Sequence, residues 1–204
     1  MAMIKIKNLS IGYEGKVVVE SFSATIETGS VTAIVGRNGA GKSTLLSAIA
    51  GDLEIASGEI LINAKSIQDY SLSEISETLS LAQQSHSYWM SYLVREIIWL
   101  GHDAVSKERF AYLAGELRLE SFLSQPITAL SGGQLQRVEI ARSLMRDVPL
   151  VLLDEPFASQ DLASVERITR LIQSERDAGR TFLIVTHSRE DELQWCDQII
   201  NLGL

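Results

Sequence analysis

Short apolar segments separated by turn residues predict a chain in which strands and helices alternate. Near the N terminus, apolar residues recur at strand-like spacings in three pieces, 4–9, 17–19 and 24–26. Only short turn signals separate these pieces, so we expect them to pair antiparallel. The mainly apolar run at 31–35 and the uninterrupted apolar run at 150–153 are instead typical of strands that are buried on both faces.

Further segments extend this pattern along the chain. Strands are predicted at 59–62, 79–82, 182–185 and 198–202, and helices at 42–50 and 162–178. Between about 85 and 147 the apolar residues lie at helical spacings, which predicts a mostly helical insertion. Alternation of strand and helix implies a largely parallel sheet covered on both faces. We therefore expect one α/β domain, with a catalytic lobe formed by 1–84 and 148–204 and a helical lobe formed by 85–147.

Composition and charge narrow the class of protein. The 204 residues are 46% hydrophobic and 22% charged, which is typical of a folded domain rather than a disordered chain. The net charge of −8 argues against nonspecific nucleic-acid binding by a basic surface but leaves a local phosphate site open. Cys196 is the single cysteine, which fits a reducing cytosol. No apolar stretch reaches the roughly 18 residues of a membrane span, and we expect no signal peptide.

A glycine-rich segment follows the predicted strand at 31–35 and precedes the predicted helix at 42–50. Residues 36–43 (GRNGAGKS) match the phosphate-loop pattern G-x-x-x-x-G-K-[ST] in the required strand-to-helix context. Backbone N–H groups in such a loop face one centre, and the positive end of the helix points to it. Lysine then neutralises β- and γ-phosphate oxygens, and the serine hydroxyl ligates Mg²⁺. The pattern predicts ATP and Mg²⁺ binding through Gly36, Arg37, Asn38, Gly39, Ala40, Gly41, Lys42, Ser43 and Thr44.

Two carboxylates follow the buried strand at 150–153. Asp154 and Glu155 come directly after it, where a parallel sheet presents the carboxyl ends of its strands to a ligand. We expect Asp154 to hold Mg²⁺ through water and Glu155 to polarise the water that attacks the γ-phosphate. Acidic residues after a strand also begin ordinary exposed loops, so the prediction depends on the phosphate loop at 36–43.

Residues 130–134 (LSGGQ), about 20 residues before the acidic pair, resemble the signature of ATP-binding-cassette (ABC) ATPases. The resemblance implies a P-loop NTPase core of the ABC type with an N-terminal antiparallel β subdomain and an inserted α-helical subdomain. It also implies an ATP-sandwich dimer with a second copy of the chain, in which the signature of one copy contacts the γ-phosphate held by the other. The signature residues that would make this contact are Ser131, Gly132, Gly133 and Gln134.

The same resemblance implies roles for residues outside these motifs. Tyr13 resembles the aromatic residue that stacks on adenine, and Val18 resembles the apolar residue beside it. Asp161 resembles the aspartate that bridges the two copies. Two positions depart from the family pattern: Phe157 stands where threonine or serine is usual, and 158–161 (ASQD) replaces a segment that usually ends in Leu-Asp. These departures leave the details of the dimer interface open.

Two polar residues complete the expected catalytic set. Gln83 resembles the glutamine that senses Mg²⁺ and the attacking water, with the adjacent Gln84 as the alternative. His187, which follows the predicted strand at 182–185, resembles the switch histidine that contacts the γ-phosphate. We therefore expect Glu155, His187 and Gln83 to be catalytic and Ser43, Gln83 and Asp154 to hold the metal ion. His86 and His102 receive no role.

Two further segments bear on the subclass. Residues 71–75 (SLSEI) precede the strand that leads to Gln83, and residues 92–102 (YLVREIIWLGH) follow it. The second segment resembles the Val-Arg-Glu…Leu-Gly-Arg stretch of metal-chelate importers, which take up iron–siderophore, haem or cobalamin; His102 replaces the usual arginine. The ATPase subunit of a small haem exporter is the alternative, supported mainly by the short chain. A non-transport ABC ATPase is disfavoured because the sequence shows neither cysteine insertions nor long coiled coils nor a second cassette.

A transport role implies partners. We expect integral-membrane permease subunits and a substrate-binding protein, no nucleic acid, and a cytoplasmic location on the inner face of the cell membrane. Residues 85–93, with Tyr88, Trp89, Met90 and Tyr92, are rich in aromatic and apolar side chains. They are predicted to form part of the groove that receives a helix of the membrane subunit; packing within the helical lobe is the alternative.

Overall fold

Two β-sheets flanked by helices make up the computed structural model, which describes residues 1–13, 16–84, 88, 90–101 and 106–203. Within these residues the strands are β1 (Ala2–Tyr13), β2 (Lys16–Glu27), β3 (Val31–Val35), β4 (Ile55–Ile62), β5 (Lys65–Ser66), β6 (Leu79–Ala82), β7 (Leu150–Asp154), β8 (Thr181–Thr186) and β9 (Gln198–Asn201). The α-helices there are α1 (Lys42–Ile49), α2 (Leu72–Thr78), α3 (Val94–Trp99), α4 (Lys107–Glu116), α5 (Gly132–Met145) and α6 (Leu162–Asp177). Short 3-10 turns span Ile67–Asp69, Ile127–Ala129 and Glu190–Leu193.

The N-terminal sheet is antiparallel, in the order β2-β1-β4-β5. Ile4 and Ile6 of β1 point into the core, in the alternation that the sequence predicts. Asn8 has a positive φ of 45°, and the register between β1 and β2 shifts between Ile6 and Leu9. This irregularity changes the phase of the alternation, so Leu9 and Ile11 face the core although they lie an odd number of residues after Ile6.

The second sheet is parallel, in the order β6-β7-β8-β3-β9. Every residue of β3, β7 and β8 is buried, which explains why these strands are mainly apolar without alternating polar positions. Successive side chains pack into different cores: Leu150 and Leu152 join α1 and the antiparallel sheet, whereas Val151 and Leu153 join α5 and α6. The predicted α/β class with a parallel sheet and an antiparallel N-terminal sheet is therefore confirmed.

Helices α3, α4 and α5 come from the segment that was predicted to be helical. Val94, Ile97 and Ile98 of α3 are buried and belong to the same core as Val138 and Ala141 of α5. This core continues onto one face of the parallel sheet. None of the helices in the described residues combines the length and the apolar character needed to cross a membrane. The lobe boundaries at 84 and 147 stay a prediction.

Helix α2 and the short strand β5 were not predicted from the sequence. Helix α2 has no fully buried residue, so its apolar periodicity is weak. Its start is instead marked by a capping box, in which Ser71 accepts a hydrogen bond from the Glu74 N–H and the Glu74 carboxylate accepts one from the Ser71 N–H. Lys65 of β5 forms a 2.6 Å ion pair with Glu74, which ties the strand to the helix.

Candidate active site

The phosphate loop lies between β3 and α1, as predicted. Gly41, directly before α1, has a φ of +93°, a left-handed conformation that glycine adopts without strain. A Cβ at this position would also collide with the side chains of Val18 and Val19 in β2. The glycine is thus required twice, by the turn of the loop and by the close approach of the antiparallel sheet.

The ammonium group of Lys42 is held over the loop that precedes it. It donates hydrogen bonds to the carbonyl oxygens of Gly36, at 2.9 Å, and Arg37, at 3.3 Å. Its Nζ lies 3.4 Å from Oε1 of Glu155, and only 6% of the lysine is exposed. A cation in this position is desolvated, which strengthens its attraction to a phosphate that enters the loop.

Glu155 lies between the phosphate loop and His187. It follows the last residue of β7 with a positive φ of 49°, and its N–H donates to the Val185 carbonyl of β8 at 2.9 Å. Its Oε2 accepts a hydrogen bond from the His187 backbone N–H at 3.2 Å and lies 2.8 Å from Nδ1 of the imidazole. Glu155 is buried, whereas the His187 side chain is 59% exposed. The structure therefore brings together Lys42, Glu155 and His187, which the sequence places far apart.

Asp154 ends β7 beside Ser43. Burial raises the pKa of its carboxyl, and a hydrogen bond from the Ser43 hydroxyl opposes that rise. In the described part of the chain, the Oδ1 atom of Asp154 is buried and has no hydrogen-bond partner. A buried carboxylate oxygen without a partner, next to a serine hydroxyl, fits the hard oxygen ligands and bound waters that Mg²⁺ prefers. Among the described residues, no cluster of three or more His, Cys, Asp and Glu offers another metal site.

A cleft of about 350 Å³ opens at this point. Its lining is Val18, Asn38, Gly39, Gly41, Lys42, Ser43, Thr44, Gln84, Glu155 and His187. Gln83 lies in a neighbouring cleft of about 210 Å³, which it shares with Ser43, Asp154 and Gln84. Both glutamines thus border the metal-site candidates, but Gln84 also lines the same cleft as Glu155. The sequence indicated Gln84 only by its adjacency to Gln83, and the role of either residue stays a prediction.

The residues predicted to bind the base lie on the edge of the antiparallel sheet. Tyr13 is the last residue of β1 and is 52% exposed, so its ring is available to a ligand. Val18 in β2 contributes to the cleft wall. Stacking of adenine on Tyr13 stays a prediction.

The signature residues form the start of α5. Ser131 is the N-cap: its hydroxyl accepts a hydrogen bond from the Gln134 N–H at 3.3 Å, and its own N–H donates to the Gln134 side chain at 2.8 Å. Ser131 and Gly132 are exposed, whereas Gly133 is buried. The described residues that line the 350 Å³ cleft include none of 131–134. Ser131 and Gly132 therefore face solvent, and the signature lies outside the phosphate-loop cleft of its own chain.

The segment after the acidic pair has contacts that the sequence did not indicate. Asp161 caps α6, where its carboxylate accepts a 2.7 Å hydrogen bond from the Ser164 N–H; hydrogen bonding to Ser164 lowers the pKa of Asp161. Phe157 packs edge to face on Trp195, with ring centroids 6.1 Å apart. A role of Asp161 in bridging two copies stays a prediction. His86, His102 and Trp89 lie outside the described residues.

Comparison with known proteins agrees with this geometry. The ABC transporter family profile matches residues 19–158. The hemin import ATP-binding protein of Streptomyces coelicolor is 33% identical, over 94% of this chain and 71% of its own length. The petrobactin import ATP-binding protein of Bacillus subtilis is 32% identical, over 98% of this chain and 83% of its own length. Other relatives are named for zinc and thiamine transport.

A solved structure described as the ATP-binding subunit of an ABC transporter has the same fold. It superposes with a TM-score of 0.86 at 26% identity, over 98% of this chain and 85% of that one. The phosphate loop, the signature and the acidic pair all fall inside the matched residues 19–158. Relatives named for hemin and petrobactin import agree with the resemblance to metal-chelate importers. The chain therefore belongs to the ABC transporter family, as an ATP-binding subunit that hydrolyses ATP.

Proposed function

We propose that this chain hydrolyses ATP to power the import of a metal chelate, such as iron–siderophore, haem or cobalamin, through separate membrane subunits. The observation that carries the catalytic part is the Glu155 carboxylate, held between Lys42 and His187 at the phosphate-loop cleft. The cargo class is supported by relatives named for hemin and petrobactin import and by the sequence at 92–102.

In this proposal the triphosphate occupies the cleft at the start of α1. Backbone N–H groups of residues 36–44 surround the phosphates, and the Lys42 ammonium exchanges its carbonyl partners for phosphate oxygens. Tyr13 and Val18 contact the base at the edge of the antiparallel sheet. The site binds an anion despite the net charge of −8, because backbone amides and one buried lysine supply its local potential.

We infer that Mg²⁺ accompanies the nucleotide. When bound, Mg²⁺ neutralises charge on the phosphate oxygens and thereby favours attack on the γ-phosphate. Ser43 would supply a hydroxyl to the ion, and Asp154, whose Oδ1 has no partner among the described residues, would hold it through water. Gln83 lies beside both residues and supports the same site.

Hydrolysis is assigned to the pair formed by Glu155 and His187. Glu155 orients the attacking water and accepts a hydrogen bond from it, which increases the nucleophilicity of the oxygen. The imidazole of His187 donates a hydrogen bond to the γ-phosphate, and its contact with Glu155 fixes the ring orientation. Burial of Glu155 excludes competing water from the carboxylate.

The complete site requires a second copy of the chain. The glycines at 132 and 133 begin α5 with N–H groups that suit a phosphate, next to the Ser131 hydroxyl, yet these residues lie outside the cleft of their own chain. We propose that the signature of one copy contacts the γ-phosphate in the other copy. ATP then forms part of the interface, so nucleotide binding stabilises the dimer and hydrolysis releases it.

Membrane subunits, aided by a substrate-binding protein, are the proposed partners, which places this chain on the cytoplasmic face of the cell membrane. A groove of about 540 Å³ between α2, β6 and α5 supports this idea. Leu72 and Leu100, both exposed, lie at the groove, and Gln83 lines both this groove and the 210 Å³ cleft beside Ser43 and Asp154. A helix of a membrane subunit placed in this groove would sense the state of the ATP site. Of the aromatic segment at 85–93, Met90 is 57% exposed.

The substitution Glu155→Gln tests the proposed mechanism. It removes the negative charge but preserves the shape of the side chain, so ATP should still bind and the ATP-bound dimer should persist. Turnover should fall by at least about 10²-fold, the lower range for loss of general-base catalysis. Phosphate release measures turnover, and size-exclusion chromatography with ATP measures the dimer.

Glu116→Gln, an exposed substitution on α4, is the matched control and should leave both measurements unchanged. Near-normal hydrolysis by the Glu155→Gln variant would contradict the assignment of Glu155. The import proposal has a separate check: a gene for a substrate-binding protein beside the gene for this chain supports import, whereas its absence supports export.

A further inference from the structure

The loop from 155 to 161 is built from consecutive tight turns. The Ala158 N–H donates to the Glu155 carbonyl at 3.1 Å, and the Gln160 N–H donates to the Phe157 carbonyl at 3.3 Å. Ser159, between them, has a positive φ of 58°. These hydrogen bonds give the loop a defined path from Glu155 to Asp161.

The side chain of Gln160 joins this loop to the start of α5. Its Nε2 donates a 2.9 Å hydrogen bond to the carbonyl oxygen of Gly133, the second glycine of the signature. The backbones are also in direct contact, because a Cβ on Gly133 would overlap the Ser159 carbonyl oxygen. The contact between loop and signature thus consists of a close backbone approach and one directional hydrogen bond.

A second glutamine ties the same helix to the acidic strand. Gln136, which is buried one turn further along α5, donates through Nε2 to the Asp154 carbonyl at 3.1 Å. The first turns of α5 are therefore bonded at two points to the chain that carries Asp154 and Glu155. The Gln136 bond joins α5 to the end of β7. The Gln160 bond joins α5 to the turn-rich loop that follows β7.

Gln160 belongs to one of the departures from the family pattern. The ABC resemblance places leucine immediately before Asp161, and a leucine side chain cannot donate a hydrogen bond. The bond to Gly133 is consequently a property of the glutamine in this chain.

We propose that Gln160 is a positioning residue that couples the hydrolytic site of each copy to the signature it offers to the other copy. When Glu155 responds to the γ-phosphate, the 155–161 loop moves, and Gln160 carries this movement to the Gly133 carbonyl and the start of α5. The ATP site of the partner copy then gains or loses its signature contacts. This inference rests on the proposed ATP-sandwich dimer.

The substitution Gln160→Leu removes the donor while keeping the bulk of the side chain. In the Glu155→Gln background, ATP binding to the dilute monomer should be unchanged, and the ATP-dependent dimer should dissociate about 3- to 10-fold more readily, the effect of losing one neutral hydrogen bond. In the otherwise unaltered chain, hydrolysis should show a raised KM for ATP and weaker cooperativity. Gln160→Glu, which places an acceptor against the Gly133 carbonyl, should have a larger effect in the same direction.

Gln194→Leu is the matched control, because Gln194 also donates through Nε2 to a backbone carbonyl, that of Glu190 at 3.1 Å, and not to the signature. It should change neither dimer dissociation nor cooperativity. A Gln160→Leu variant with unchanged dimer and kinetics, or with lowered thermal stability alone, overturns this inference and leaves the proposed function standing. If the Glu155→Gln single variant forms no ATP-dependent dimer, both this inference and the proposed ATP-sandwich dimer are overturned.

Discussion

At the scale of single residues, Asp154 combines burial with an unsatisfied carboxylate oxygen. Burial disfavours its ionised form and raises its pKa, despite the hydrogen bond from Ser43. The folded state therefore holds the Asp154 proton more tightly than the unfolded state does. The free energy of unfolding decreases as pH rises from the pKa of Asp154 in the unfolded state to its higher pKa in the folded state. A residue that serves a metal ion in this way lowers the stability of the nucleotide-free protein at neutral pH.

The substitution Asp154→Asn should remove this loss of stability. Without nucleotide, the variant should have a higher Tm than the original chain at neutral pH, and the difference should shrink as pH falls toward the unfolded-state pKa of about 4. Mg²⁺-dependent hydrolysis should be largely lost. Calorimetry across pH and a phosphate-release assay measure the two effects.

Asp161→Asn is the control, and it should change stability in the opposite direction. Hydrogen bonding to Ser164 lowers the pKa of Asp161 in the folded state, so the ionised carboxylate stabilises the fold. The stabilising effect of the Asp161 carboxylate is present above its pKa in the unfolded state and is lost as pH falls through its pKa in the folded state. Asparagine is also a good N-cap, so the loss of stability should be small. A lower Tm for Asp154→Asn at neutral pH would contradict the account of Asp154.

At the scale of elements, a buried ionic network joins three helices. The Glu175 carboxylate of α6 accepts two 2.7 Å hydrogen bonds from Arg109 of α4 and one of 3.0 Å from Arg180. Both guanidinium groups also donate to the Leu144 carbonyl near the end of α5. Glu175 and Arg180 are each about 6% exposed, so their charges depend on one another rather than on water.

Glu175→Ala should therefore destabilise the protein strongly. Loss of the Glu175 carboxylate leaves Arg109 without this counterion and leaves Arg180, among the described residues, with only the exposed Asp147 carboxylate at 3.8 Å. The free energy of unfolding should fall by about 3 kcal/mol. Urea denaturation measures this change. Glu166→Ala, an exposed substitution on the same helix, should stay within about 0.5 kcal/mol of the original chain. Equal losses in both variants would show that the network contributes no specific stability.

At the scale of the whole molecule, the groove between α2, β6 and α5 is a candidate docking surface that shares Gln83 with the cleft beside Ser43 and Asp154. Its walls are apolar at Leu72, Leu79 and Leu100, while Glu139 and Arg142 supply charge. Glu139 is buried, forms an ion pair with Arg142 and accepts a hydrogen bond from Tyr88, so this part of α5 is held in place. A mixed lining of this kind suits an amphipathic helix of a partner protein.

Leu72→Asp should weaken assembly with the membrane subunits by about tenfold or more, because an unpaired charge would enter the interface. ATP hydrolysis by the isolated chain should be unchanged, since Leu72 lies away from the nucleotide cleft. Co-purification with the membrane subunits measures assembly. Ser73→Asp adds the same charge to the next, exposed residue of α2, which does not line the groove, and should have little effect. Equal assembly of both variants would remove the groove as the docking surface.

Several features of the site could be predicted because each depends on a few neighbouring residues. The phosphate loop, its lysine and the capped start of α5 are local patterns whose geometry follows from glycine conformations and backbone hydrogen bonds. The strand pattern identified β3, β7 and β8 because burial on both faces favours mainly apolar runs. Helix α2 was missed because it has no fully buried side chain, which leaves little periodicity to detect.

The sequence by itself determined the local chemistry of this protein, whereas the tertiary structure alone decided which of its groups meet. Strand order β7-β8-β3 places the carboxyl ends of three strands at one edge, and this brings Lys42, Glu155 and His187 within hydrogen-bond or ion-pair distance. The partnerless oxygen of Asp154 and the bond from Gln160 to Gly133 arise in the same way. The physical reason is that local conformation depends on adjacent residues, while contacts between distant segments depend on how the whole chain packs its apolar faces.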